Sequence, residues 1–362
     1  MEEVGIPPRL ESIVWDDQDR TAMRIYLLDN SESTRTADRH VLEGSGISAC
    51  SRWAEICKTA REHAIWNFDS HMPCDFIIRT PKYPHQGPFQ ADRDYIRISR
   101  TSAGDGQEGT SIEFESEQRQ RLDTFLGNNG PRACTMPFHE RLAQVQENIN
   151  TSVSEEWPGC RTIILVILTD GLTDEPPEPT QFSERLSDMC QRLPLRVVVR
   201  LCNNHPSMMN FFTTLKDDVP ALDVLSGPVG EAAKVEAVDN GWFAYTCLIQ
   251  HIREAGTFNE LLHKVAEERL DAQEARRLAE ILLLPAPEDG QDQTAPSAAP
   301  TDIDFLLEVR HHGQRVFDAR WLRERPVVNV WRLRAALGVG LLPLGRTVLR
   351  ERVYPVLCPC ST

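Results

Sequence analysis

Apolar residues along this chain fall into two patterns: short unbroken runs, and runs spaced by three or four. The clearest unbroken run is "TIILVILTDG", residues 162–171, which stops at Thr169-Asp170-Gly171. A strand apolar on both faces belongs at the centre of a parallel sheet covered by helices. "LRVVVRL" at 195–201 repeats the pattern, and "LDVL" at 222–225 is a shorter candidate. Met23–Leu28 is a further short run, and it ends at Asp29. "CDFIIRT" and "DYIRIS" predict two more strands with a Pro- and Gln-rich loop between them.

The spaced runs predict helices. "SRWAEICKTAREHAIW" puts Trp53, Ile56, Cys57, Ala60 and Ala64 on one face, with Ser51 as N-cap. Others are expected over Ser116–Phe125, Pro137–Ile149, Phe182–Cys190 and Trp242–Glu254. Residues 34–50 and 101–115 are polar and Gly/Ser-containing, and read as loops. Strands alternating with helices predict an α/β fold with a doubly wound, mostly parallel sheet and helices on both faces.

The character changes after Gly256. Thr257 with Glu260, and Asp271 with Glu274, have capping-box spacing and predict two short helices ending near Leu284. "PAPEDGQDQTAPSAAPTD" has no means of building a core and reads as a disordered linker. The expected organisation is an N-terminal extension (1–19), a main domain (20–255), a helical segment (256–284), the linker (285–302) and a basic C-terminal region (303–362).

Composition narrows the function classes. The chain has 362 residues and a formal net charge of −15, a poor match to nucleic acid, whose phosphates are met mainly by Lys and Arg. Residues 309–352 hold ten arginines against three acids, a net of +7, which leaves −22 for the rest. The simplest reading of the basic region is a small helical unit packed on the acidic body; an acidic partner or an anionic membrane surface are alternatives. The N-terminus lacks the apolar segment of a secretory signal, and "VWRLRAALGVGLLPLGRTVL" is too interrupted by Arg and Pro to span a membrane. A cytoplasmic location is therefore expected. Ten scattered cysteines do not form a disulfide framework. Cys134 with His139 lacks a third orienting residue. Cys358-Pro359-Cys360 with His311 and His312 misses the usual zinc spacing.

The candidate chemistry lies where strands end. Ligands of open α/β sheets collect at the carboxyl ends of strands near the point where strand order reverses. Two predicted strands end in aspartate, Asp29 and Asp170. Asp29-x-Ser31-x-Ser33 can turn alternate side chains to one side, giving a carboxylate and two hydroxyls from five residues. Hard oxygen donors suit Mg²⁺ or Mn²⁺ rather than Zn²⁺. The bland reading of the motif alone is a capped turn.

Asp29-x-Ser31-x-Ser33, a later threonine before a helix in "ACTMPFHERL", and "LTDG" together resemble the von Willebrand factor A family and its metal-ion-dependent adhesion site. The resemblance spans roughly residues 20–255. It implies a doubly wound sheet with one short antiparallel edge strand. It also implies a divalent cation held by Asp29, Ser31, Ser33, Thr135 and Asp170, with an open position for a partner's carboxylate. Catalysis is not the usual role of such domains, so no enzymatic activity is expected. Two departures stand out: Glu32 sits where glycine is common, at the rim facing a partner, and Ala133-Cys134 replaces the usual glycines before Thr135.

The expected function is thus a divalent-metal-dependent protein-binding module whose cation is completed by a partner's acidic side chain. A Mg²⁺-dependent phosphoryl-transfer enzyme with Asp29 as nucleophile is one alternative. It lacks the second aspartate common in such loops and any phosphate-cradling glycine loop. A scaffold with an unused metal site is the other.

Overall fold

Alternation along two strands sets the architecture. The computed structural model describes residues 7–43, 46–82, 89–99, 111–133, 136–156, 161–172, 178–203, 205–284, 301–312, 315–321 and 323–339. Helix α1 (Pro8–Arg20) leads into β1 (Thr21–Leu28), a 3-10 turn (Glu32–Arg35) and a hairpin of β2 (Arg39–Glu43) and β3 (Gly46–Cys50). Then come α2 (Arg52–Asp69), β4 (Cys74–Ile78), β5 (Tyr95–Ile98), α3 (Ser111–Asn128) and α4 (Phe138–Glu156). The second half of the sheet follows as β6 (Thr162–Thr169), α5 (Glu178–Arg192), β7 (Leu195–Leu201), α6 (Pro206–Asp218) and β8 (Leu222–Leu225).

The six strands lie in the order β5-β4-β1-β6-β7-β8, parallel throughout except that β5 runs antiparallel to β4 at the edge. The chain builds one half outward from β1 and the other outward from β6, so strand order reverses between those two. Ile25, Leu27, Ile163, Leu165 and Ile167 pack against Leu142 and Val145 of α4, Phe182 of α5 and Phe212 of α6. Tyr26, Leu28, Ile164, Val166 and Leu168 pack against Ile56 and Ala60 of α2 and Phe125 of α3. Period-two alternation thus buries both faces, which explains why these strands carry no polar face.

A second layer follows the sheet: α7 (Pro228–Ala237), α8 (Cys247–Glu254), α9 (Glu260–Lys264), α10 (Ala272–Leu283), α11 (Asp302–His311), a hairpin of β9 (Arg315–Asp318) and β10 (Arg323–Pro326), and α12 (Val330–Ala336). Leu10 and Val14 of α1 share an apolar cluster with Ile252, Leu278, Leu282, Phe305 and Leu333. No helix among the described residues is long and apolar enough to cross a membrane.

Several elements differ from the sequence expectation. Residues 34–50 hold the 3-10 turn and the β2–β3 hairpin rather than a loop, because strands this short give no sustained alternation. The helix expected from Trp242 begins at Cys247, where Thr246 caps it by accepting from the Ile249 amide. Residues 242–245 are instead held by the C-terminal region: the Ala244 amide donates to Val327 O, and the Asn329 amide to Trp242 O. The N-cap of α9 is Asn259, not Thr257, whereas Asp271 and Glu274 form the expected capping box on α10. Helices α1, α6 and α7 and the β9–β10 hairpin have no counterpart in the sequence reading. Residues 285–300 of the linker, and Cys358-Pro359-Cys360, lie outside the described residues.

Gly256 closes α8 at φ +80°, and a Cβ there would meet Ile164 Cγ2 at 2.5 Å in the core. Left-handed backbone and overpacking then add, so Gly256→Ala should destabilise by about 2–4 kcal/mol in urea unfolding. A buried ionic network adds a pH dependence. Arg200 of β7 donates to Glu55 of α2 and to Glu254 of α8, and His63 Nε2 lies 3.1 Å from Glu254 Oε2. Among the described residues His63 Nδ1 has no hydrogen-bond partner, which suits a neutral ring donating through Nε2. Burial holds His63 below its ordinary 6.5. Burial works to raise Glu254, but the His63 hydrogen bond and the Arg200 charge outweigh it and hold the carboxyl at about 2. For both groups the unfolded chain takes up protons first, so their stabilisation is complete above pH 6.5 and 4.5 respectively and is lost as pH falls below each value. The urea midpoint should drop on acidification from about pH 7 to 5, and less steeply in His63→Gln. An unchanged slope in that variant would remove His63 as the proton acceptor.

Candidate metal centre at the ends of strands β1 and β6

The site begins with a register. β1 and β6 pair in parallel with Leu28 opposite Leu168, and the Asp29 amide donates to Leu168 O at 2.9 Å. Asp29 and Asp170 therefore leave the sheet on neighbouring strands, as the sequence pattern requires. Asp29 is fully buried. Its Oδ1 accepts from the Ser31 amide at 3.0 Å, an Asx-turn that reverses the chain, and its Oδ2 accepts from the Thr169 hydroxyl at 2.6 Å. The 3-10 turn after Ser31 is pinned by Thr34, whose hydroxyl donates to Ser31 O at 2.7 Å.

Three oxygens converge on the open side of this turn. Ser31 Oγ and Ser33 Oγ are 3.0 Å apart, Ser33 Oγ is 3.0 Å from Asp170 Oδ1, and Ser31 Oγ is 3.5 Å from the same atom. Adjacent ligands of Mg²⁺, bound at 2.0–2.1 Å, sit about 3 Å apart. The triangle has nearly the dimensions of one face of a Mg²⁺ octahedron. Among the described residues no three His, Cys, Asp or Glu side chains group as a metal site; the triangle itself is two hydroxyls and one carboxylate oxygen. Such donors fit a hard cation of the Mg²⁺ or Mn²⁺ kind.

Two arginines that the sequence reading did not single out border the aspartates. Arg52, first residue of α2, gives Nη1 to Asp170 Oδ2 at 2.9 Å and grips Asp38 through Nε and Nη2. Arg79 follows β4 and is 2% exposed. It gives Nη1 to Asp29 Oδ1 at 3.2 Å and Nη2 to Glu178 Oε1 at 3.0 Å. Four carboxylates (Asp29, Asp38, Asp170, Glu178) pair with these two guanidinium groups. Burial, then the neighbouring Asp29 charge, raises Asp170 above the ordinary carboxyl value, against the pull of Arg52 and Ser33. A cation would oppose that rise.

The other predicted positions are placed as follows. Glu32 pairs with Arg35 at 3.0 Å on the exposed turn. Thr135 lies outside the described residues. Its flanks are tied to the site: the Arg132 amide donates to Asn30 O at 2.8 Å, and the Met136 amide to Thr80 Oγ1 at 2.9 Å. Asn30, a second residue missed in the motif, is fully buried. Its Nδ2 lies 2.9 Å from Thr80 O and 3.1 Å from Asn129 O, and its Oδ1 accepts from the Thr80 amide. It ties the first loop to its neighbours as a short cross-strand would. Gly171, at φ +135°, leaves no room for a Cβ against Met208 Sδ, so the turn after Asp170 needs glycine. The sequence places Arg79 directly after a predicted strand, but the register that sets it level with Asp29, Leu28 being paired with Ile78, belongs to the tertiary structure.

Thr169→Val keeps the shape of the strand end but leaves an Asp29 oxygen buried without its donor. Urea unfolding should show a loss of about 2 kcal/mol, the usual cost of removing a hydrogen bond from a buried charged group. Comparison of the chain with protein-family models and with curated proteins finds no match to either.

Proposed function

We propose that the chain is a von Willebrand factor A-type protein-binding module whose strand-end site takes Mg²⁺ or Mn²⁺ and through it a carboxylate of a partner protein. The observation that carries this reading is the triangle of Ser31 Oγ, Ser33 Oγ and Asp170 Oδ1, with 3.0–3.5 Å sides, in which Asp170 lies 139 and 137 positions along the chain from the two serines. The strand order, with its one antiparallel edge strand, agrees with the fold that the motif resemblance implies. In this reading Ser31, Ser33 and Asp170 supply direct oxygens, Thr135 a further one, and Asp29, held on both oxygens by the fold, orients the loop that carries the two serines. A bound cation supplies an open coordination position that accepts one carboxylate oxygen. Ser33 is exposed and marks the open side. The surrounding surface, including Glu32 on its turn, then selects among acidic ligands, since charge complementarity governs specificity more than raw affinity.

Phosphoryl transfer through Asp29 is disfavoured by geometry. A nucleophilic carboxylate needs an accessible lone pair. Asp29 is fully buried, and both its oxygens accept hydrogen bonds from within the fold.

The protein should bind Mn²⁺ in an electron paramagnetic resonance titration, with Mg²⁺ displacing it, and Ser33→Ala or Asp170→Ala should weaken binding roughly tenfold or more. Partner capture from native extract should survive Mg²⁺, fail in EDTA and fail with Asp170→Ala. Mn²⁺ binding that ignores Asp170→Ala would refute the site.

A further inference from the structure

Arg79 has a place in the molecule that charge neutralisation alone does not explain. A single buried guanidinium touches three separate segments of the chain: the loop after β1, the approach to α4 and the start of α5. Nη1 reaches Asp29 Oδ1 (3.2 Å) in the loop after β1. Nε reaches Met136 O (2.9 Å), the residue immediately after Thr135. Nη2 reaches Glu178 Oε1 (3.0 Å), the first residue of α5 beyond the Asp170 turn. The same Glu178 oxygen accepts the Phe138 amide at 2.8 Å at the start of α4, and the guanidinium lies 3.8 Å over the Phe138 ring. The fork is planar and directional, so it fixes relative positions in a way an ammonium group cannot.

We propose that Arg79 is a positioning residue for the cation site: it ties the loop after β1 to the starts of α4 and α5, so that the oxygen triangle is assembled before a cation arrives. The proposal rests on the cation reading given above. It assigns Glu178 to the same task through Arg79. It also makes Asp29 an anchor whose orientation is set from the protein side, with Arg79 and the Ser31 amide on one oxygen and Thr169 on the other. Pre-assembly lowers the ordering cost of binding, which is how supporting residues strengthen a site they do not enter.

Electrostatics and positioning predict opposite signs, and this makes the proposal testable. Removing a positive charge beside Asp29 would by itself favour a cation. If Arg79 positions the loops, Arg79→Gln must instead weaken Mn²⁺ binding, roughly tenfold or more, as outer-sphere changes do. Arg79→Lys keeps the charge but not the fork, and should weaken binding as well. Glu178→Ala should act in the same direction, and the double variant Arg79→Gln/Glu178→Ala should lose less than the product of the two single losses, because both act through one contact. Water-proton relaxivity of the bound Mn²⁺ gives a reading that a general loss of stability would not move: the variants should carry more inner-sphere water, through loss of protein oxygens. Circular dichroism checks that each variant is folded, and Glu178→Ala carries the test if the Arg79 variants fail to fold. Tighter or unchanged Mn²⁺ binding in folded Arg79→Gln, or in Glu178→Ala where only that variant folds, would overturn the positioning role alone. No Mn²⁺ binding by the unaltered protein would remove the cation reading and the positioning role together.

Discussion

A carboxylate with no contact to water must find its partners inside the fold, and Asp29 is such a group. Leaving one member of a buried charge pair alone costs about 3–5 kcal/mol, several times the worth of a helix cap. Much of the site can be read as the answer to that requirement. The Ser31 amide, the Thr169 hydroxyl and Arg79 each come from a different part of the chain, and together they satisfy both oxygens. Arg79 is itself buried and therefore needs Glu178 and the Met136 carbonyl. One buried charge thus recruits the loop before α4 and the first turn of α5.

The same logic operates on the opposite face of the sheet. Arg200 joins α2 to α8 through Glu55 and Glu254, and Glu55 also takes Arg39 from the β2–β3 hairpin. The hairpin is linked to the candidate site by a separate route, because Arg52 holds Asp170 and Asp38 together. Exposed ion pairs of this chain, such as Glu32 with Arg35, belong to a different class: their contribution is at most about 1 kcal/mol and they set no geometry. The buried pairs decide where the loops lie, and the exposed ones adjust the potential that an approaching ligand meets.

The division of labour between scaffold and donors follows from this. The strands are apolar on both faces and fix the spacing between Asp29 and Asp170. The donors with freedom to adjust, Ser31 and Ser33, sit on a short turn whose base is pinned by Thr34 and Asn30. A rigid base with hydroxyl donors at its tip suits a cation that holds few protein ligands and keeps an open position.

By itself the sequence determined what local pattern can encode. The apolar runs of β1, β6 and β7 identify buried strands, because their shortness and β-branched content suit strands better than helices. The alternation of Asp29, Ser31 and Ser33 marks donors that a turn can gather, and Asp271 with Glu274 announces α10. Tertiary structure alone decided what lies between distant segments: Arg79 against Asp29 and Glu178 at separations of 50 and 99 residues, and Arg52 against Asp170 at 118. The hairpins β2–β3 and β9–β10 and the extended stretch 242–245 were illegible for a related reason. Short strands take their stability from neighbours rather than from their own periodicity, and a charged residue in sequence carries no sign of whether water or a buried counter-charge will solvate it.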